Sequence, residues 1–158
     1  MRNAGMNLPQ VKRKNRSSIL SCINEQGAIS RKDIAQYTGL TPATVTQLCA
    51  ELLSEGLLVE CGPPPHSSGV GRKKVLVSIN YDSRYLLAVN IGSQTTSLAL
   101  TNLKGRCVCR RELATDNAVP PETFLDRLAR EGRAMAGCGA ELAPRLAGVS
   151  VTVPGAVD

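Results

Sequence analysis

The stretch Thr41-Pro42-Ala43-Thr44-Val45-Thr46-Gln47 gathers three hydroxyls and a side-chain amide into about two helical turns. None of these groups is charged, so their chemistry is hydrogen bonding and apolar contact. A glutamine amide donates and accepts in one plane, as an adenine edge requires. A threonine offers a hydroxyl to either partner and a methyl to thymine. Gln47, Thr44 and Thr46, with Thr41 and Ala43 in the same row, are therefore candidates for contacts in a major groove. Other chemistry-bearing residues carry less. Cys107 and Cys109 would share one face of a strand, but no histidine or second cysteine pair lies near in sequence, so they read as core thiols. His66 is the only histidine and falls in a Pro/Gly-rich loop, where it reads as solvent-exposed. No catalytic residue, metal or cofactor is expected.

Elements of recognisable pattern must hold that row in place. Thr41 can cap a helix with Pro42 at its first position, where a missing N–H costs nothing. Val45, Leu48, Cys49, Leu52 and Leu53 then form an apolar stripe of helical spacing, which leaves the polar row facing solvent. Before it, Ser30-Arg31-Lys32-Asp33 reads as a capping box opening a helix with Ile34, Ala35 and Tyr37 on its apolar side, closed at Gly39. A first helix is expected from a cap at Asn15 to Gly27, with Ile19, Leu20, Cys22 and Ile23 inside. Leu57–Cys61 and Val75–Ile79 read as a hairpin whose connecting loop contains prolines and glycines. Three helices and such a hairpin make a winged helix-turn-helix.

The expected division is a basic arm over 1–14, the winged helix over 15–80, a linker over 81–84 and a second lobe over 85–158. In that lobe Tyr85–Asn90, Ser97–Asn102 and Cys107–Leu113 read as strands. Glu122–Gly137 reads as a helix with Phe124, Leu125, Leu128, Ala129 and Met135 on its apolar face. Gly148–Val153 reads as a buried strand. The fold class is thus α+β: a winged helix followed by a partial actin-like (ribonuclease-H-like) α/β lobe.

The charge is +6 over 158 residues, but it is unevenly placed. Residues 1–84 hold 11 Lys/Arg against 6 Asp/Glu, a net of +5, whereas 85–158 hold 8 against 7, a net of +1. Arg2, Lys12, Arg13, Lys14 and Arg16 precede the first acidic residue, and Arg72-Lys73-Lys74 forms a second knot. Two basic knots on one small unit suit a polyanion, although each alone could be a solvated patch. Aromatic residues make up only 3%, which disfavours stacking platforms for single strands. There is no apolar run long enough to span a membrane and no signal-peptide pattern. The six cysteines are expected as reduced thiols in a cytoplasmic protein.

The runs "NRSSIL", "ISRKDIA", "TGLTPATVTQL", "LLSEGLLVE" and "GRKKVLVSIN" resemble the DNA-binding domain of the ROK family, which joins sugar-responsive repressors and sugar kinases. "LLAVNIGSQTTSLALTNLKG" and "VSVTVPGAVD" resemble the opening of that family's first lobe. The resemblance implies a recognition helix reading double-stranded DNA through residues 41–50. Arg31, Lys32, Lys12, Lys14 and Arg16 would contact phosphates. Arg72, with Lys73 and Lys74, would sit on the wing and reach a minor groove. In a full-length form it implies a homodimer and a sugar effector.

Where the family carries Asp-x-Gly-Gly-Thr at its phosphate turn, this chain has Asn90, Gly92, Ser93 and Gln94. That departure argues against ATP use and against a sugar kinase, the alternative reading. A winged helix serving only protein contacts is a third. On this reading the chain ends after one strand–helix–strand return, so DNA binding is expected without sugar-dependent release.

Overall fold

Asn7 opens the first helix, α1 (Leu8–Gln26), through a reciprocal cap: its side chain accepts from the Gln10 N–H, and Gln10 accepts from the Asn7 N–H. Residues 7–62, 75–137 and 143–153 are described by this computed structural model. The helix therefore starts seven residues before the expected cap, and Asn15 lies inside it. Lys12, Arg13 and Lys14, expected on an arm, occupy its solvent face, where long basic side chains are good helix formers. Gly27 ends it at φ 75°, a conformation that favours glycine.

Strand β1 (Ile29–Ser30) follows, unforeseen because two residues carry no periodicity. Ser30 caps α2 (Arg31–Thr38), accepting from the Asp33 N–H and donating its hydroxyl to the Asp33 carboxylate at 2.7 Å. The carboxylate thus bonds the serine hydroxyl rather than the backbone N–H of a capping box. Tyr37, expected on the apolar side, is exposed. Gly39 closes α2 in the left-handed region, and Thr41 caps α3 (Pro42–Ser54). Strands β2 (Leu58–Cys61) and β3 (Leu76–Ile79) pair antiparallel, and β1 joins the other side of β3. Ile19 and Ile23 of α1, Ile34 of α2, and Val45, Leu48, Cys49 and Leu52 of α3 close one core with Leu58 and Val77. Burial pushes the pKa of the Cys22 and Cys49 thiols up, which suits unreactive core residues.

The chain divides into two units, Met1–Asn80 and Tyr81–Asp158. Residues 81–84 are tied into the second. The Tyr81 carbonyl accepts from the Leu103 N–H at 3.0 Å, and the Asp82 carboxylate from the Asn102 amide at 2.7 Å. Strands β4 (Tyr85–Ile91), β5 (Thr95–Asn102) and β6 (Cys107–Ala114) form a meander. Helix α4 (Pro121–Gly137) and a short 3-10 turn (Ala143–Arg145) lead to β7 (Leu146–Thr152), which lies parallel to β4. The sheet order is β6-β5-β4-β7.

Phe124, Leu128 and Met135 of α4 pack on Leu87, Val89, Leu98 and Leu100. At Gly132 an added Cβ would lie 2.6 Å from Leu87 Cδ2, so the helix backbone comes close to the sheet. Three expectations change here. Leu125 and Ala129 are exposed, Cys107 is an exposed thiol rather than a core one, and β7 is not buried: Val149 and Val151 are exposed, as is Val153 just beyond it. Alternation announces a strand but does not say which face is covered.

Candidate nucleic-acid interface

The N-terminal end of α3 is built from its cap outward. The Thr41 hydroxyl accepts from the Thr44 N–H at 3.2 Å and shares a second bond with the Thr44 hydroxyl at 2.9 Å. The Thr46 hydroxyl donates to the Pro42 carbonyl at 2.8 Å. Pro42, Ala43, Thr46 and Gln47 are exposed, and Thr44 is half-buried. Behind this edge Val45, Leu48, Cys49 and Leu52 are buried, so the core fixes the helix while the uncharged edge stays accessible. Among the described residues Gln47 has one side-chain hydrogen bond, a long one from Nε2 to a Glu51 oxygen at 3.4 Å. Its Oε1 remains available to an incoming donor.

The expected phosphate contacts divide into two groups. Lys14 and Lys32 are exposed and make no ion pair among the described residues. Lys12, Arg16 and Arg31 are engaged within the fold. Lys12 reaches the Glu51 carboxylate at 2.9 Å. Arg16 grips both Glu55 oxygens, at 2.8 and 2.5 Å, and lies 3.5 Å from Glu51. Arg31 pairs with Glu60 at 2.7 Å, and its Nε is buried without a partner among the described residues. The hydrogen bond from Lys12 is the first cause of a Glu51 carboxyl held below the ordinary carboxylate range. The hydrogen bond to Glu55 likewise raises the Arg16 pKa. Glu51 and Glu55 escaped the sequence reading, although Gln47, Glu51 and Glu55 recur every four residues, as do Lys12 and Arg16. That match becomes visible once α1 extends back to Leu8. Arg72, Lys73, Lys74 and His66 lie outside the described residues.

The turn after β4 is closed by the protein itself. The Thr115 hydroxyl donates to the Gly92 carbonyl at 2.8 Å, the Asn117 amide to the Ser93 carbonyl at 3.1 Å, and the Thr115 N–H to the Gln94 carbonyl at 2.9 Å. Gly92 is held so near Thr95 that an added Cβ would lie 2.6 Å from its carbonyl oxygen. Asn90 is exposed at the end of β4 and brings no carboxylate to this turn.

A helix-turn-helix with a sheet behind it, followed by a βββαβ unit, defines a class by architecture: a winged helix-turn-helix followed by a partial actin-like lobe. Residues 12–59 match the winged helix-turn-helix DNA-binding family. Over 148 residues the chain is 30% identical to a candidate xylose repressor of Caldicellulosiruptor sp. (strain Rt8B.4), covering 94% of this chain and 37% of that protein. It is 26% identical over 153 residues to the DNA-binding transcriptional repressor Mlc of Escherichia coli K12, covering 96% and 37%. A crystal structure of a ROK-family transcriptional regulator, a homologue of the Escherichia coli Mlc protein, shares the fold with a TM-score of 0.71. That likeness has 24% identity and covers 92% of this chain and 36% of that one. The chain is thus similar in sequence to these DNA-binding repressors and in fold to a ROK-family regulator. It spans a little over a third of the length of these relatives, which are regulators and not enzymes by name. Among the described residues no helix is long and apolar enough to cross a membrane.

Proposed function

We propose that this chain is the DNA-reading part of a sequence-specific transcriptional repressor of carbohydrate-utilisation genes. The observation that carries the proposal is the exposed, uncharged edge of α3 held from behind by a closed core stripe. Gln47, Thr44, Thr46 and Ala43 read base edges in the major groove, and Thr41 fixes the helix end. Lys14 and Lys32, with Arg31, contact phosphates and set the register. The basic run Arg72-Lys73-Lys74 adds a minor-groove or phosphate contact, chosen for its charge alone. Relatives named for xylose support a sugar effector in a longer form of the protein, and the ROK resemblance adds a homodimer to that proposal. Phosphoryl transfer is not part of this reading, because Asn90 brings no carboxylate to the turn after β4.

The test is duplex binding over a range of salt. With about five phosphates neutralised, log K against log salt should fall with a slope of about −4 to −5. A flat line would point to a winged helix used for protein contacts.

A further inference from the structure

Glu51 stands where the base-reading edge of α3 meets the basic face of α1. Its carboxylate accepts from Lys12 Nζ at 2.9 Å and from Gln47 Nε2 at 3.4 Å. Gln47 is one helical turn ahead of it, so Lys12 lies within about two turns of the groove-facing amide. A side chain reading bases is flanked by the phosphates of both groove walls, and an ammonium at that distance would be drawn to them. In the fold it is neutralised instead. The neighbouring Arg16–Glu55 fork, at 2.8 and 2.5 Å, also ties α1 to α3, with Glu51 a weaker second partner of Arg16 at 3.5 Å. The Lys12–Glu51 pair is therefore not the only ion pair holding these helices together.

We infer that Glu51 withholds Lys12 from the DNA backbone, so that Lys12 is a held cation and not a phosphate contact. This rests on the DNA-binding reading proposed above. Phosphate contacts strengthen binding to all sequences alike, whereas the edge at Gln47 discriminates among them. A carboxylate beside that edge thus limits the sequence-blind share of the affinity without touching the readout. Arg16 stays on Glu55 when Glu51 loses its charge, so one cation is released and not two.

The experiment compares salt slopes on a random-sequence duplex for the parent chain, Glu51→Gln, Lys12→Met and the double variant. Glu51→Gln should steepen the slope by about 0.9, the equivalent of one added phosphate contact. Lys12→Met should leave the parent slope unchanged, and the double variant should match the parent. A slope about 0.9 shallower in Lys12→Met would show that Lys12 already sits on a phosphate and would overturn the inference. So would a Glu51→Gln slope equal to the parent's. Should Glu51→Gln fail to fold, Lys12→Met decides alone. A flat slope in the parent itself would remove the DNA-binding reading, and this inference with it.

Discussion

At the scale of single residues the exposed edge of α3 is economical because most of its polar atoms are already committed. Thr41 and Thr44 satisfy each other, and Thr46 bonds back to Pro42. The Thr46 hydroxyl has committed its one hydrogen, whereas exposed Gln47 combines a weakly held donor with a carbonyl acceptor in one plane. Discrimination should therefore rest on Gln47 more than on the threonine hydroxyls. Gln47→Ala should cost about 1–3 kcal/mol on the preferred site and relax preference at one base position. Lys14→Ala should instead weaken all duplexes alike and reduce the salt slope by about 0.9. Binding-site selection separates the two. An unchanged selected motif in Gln47→Ala would reduce that side chain to a surface residue.

Elements show why some of this was legible in the sequence and some was not. Gly27, Gly39 and Thr41 mark their helix ends because each end needs a specific backbone conformation or an oxygen acceptor, which few residue types supply. The core stripe of α3 was equally plain, since buried positions on a helix must recur with its period. The start of α1 was hidden. Its first turns pack little apolar surface, so the Asn7-x-x-Gln10 capping signature is not followed by the hydrophobic run that would mark it as a helix start. With that start displaced, Lys12 looked like free charge on an arm and Arg16 like free charge just beyond it, and their partners Glu51 and Glu55 went unnoticed. Strand β7 failed differently: its valines alternate as a buried strand's would, yet their outer face meets solvent. The cap at Thr41 gives a direct check. Thr41→Ala leaves the Thr44 N–H without its acceptor and should lower stability by about 1 kcal/mol, while Thr41→Ser should stay near the parent. Urea unfolding followed by far-ultraviolet circular dichroism reads this as a shift in midpoint at constant slope. Equal midpoints for all three would mean that water replaces the threonine oxygen at no cost.

Across the whole molecule the two units differ in how completely they cover their apolar surface. In Met1–Asn80 three helices and a small sheet enclose Ile19, Ile34, Val45 and Leu52 on all sides. In Tyr81–Asp158 one helix lies over a four-stranded sheet, and an open groove of about 620 Å3 remains beside it, lined by Leu87, Val89, Leu125, Leu128, Val149 and Val151. The outer strand β6 is blunted by Arg110, Arg111 and Glu112, a common protection of sheet edges. Strand β7 carries no charge, and Val149 and Val151 are 59% and 56% exposed. Contiguous apolar surface of this kind binds amphiphilic dyes and promotes association. The chain should therefore enhance the fluorescence of anilinonaphthalene sulfonate while still folded. Val149→Thr combined with Val151→Thr should reduce that enhancement, because it keeps β-branched residues in the strand and replaces two methyls with hydroxyls. The same double variant should leave the salt slope for duplex binding unchanged, since every proposed DNA contact lies in the other unit. Undiminished dye binding would place the exposed apolar surface elsewhere. A changed salt slope would show that the second unit takes part in holding DNA.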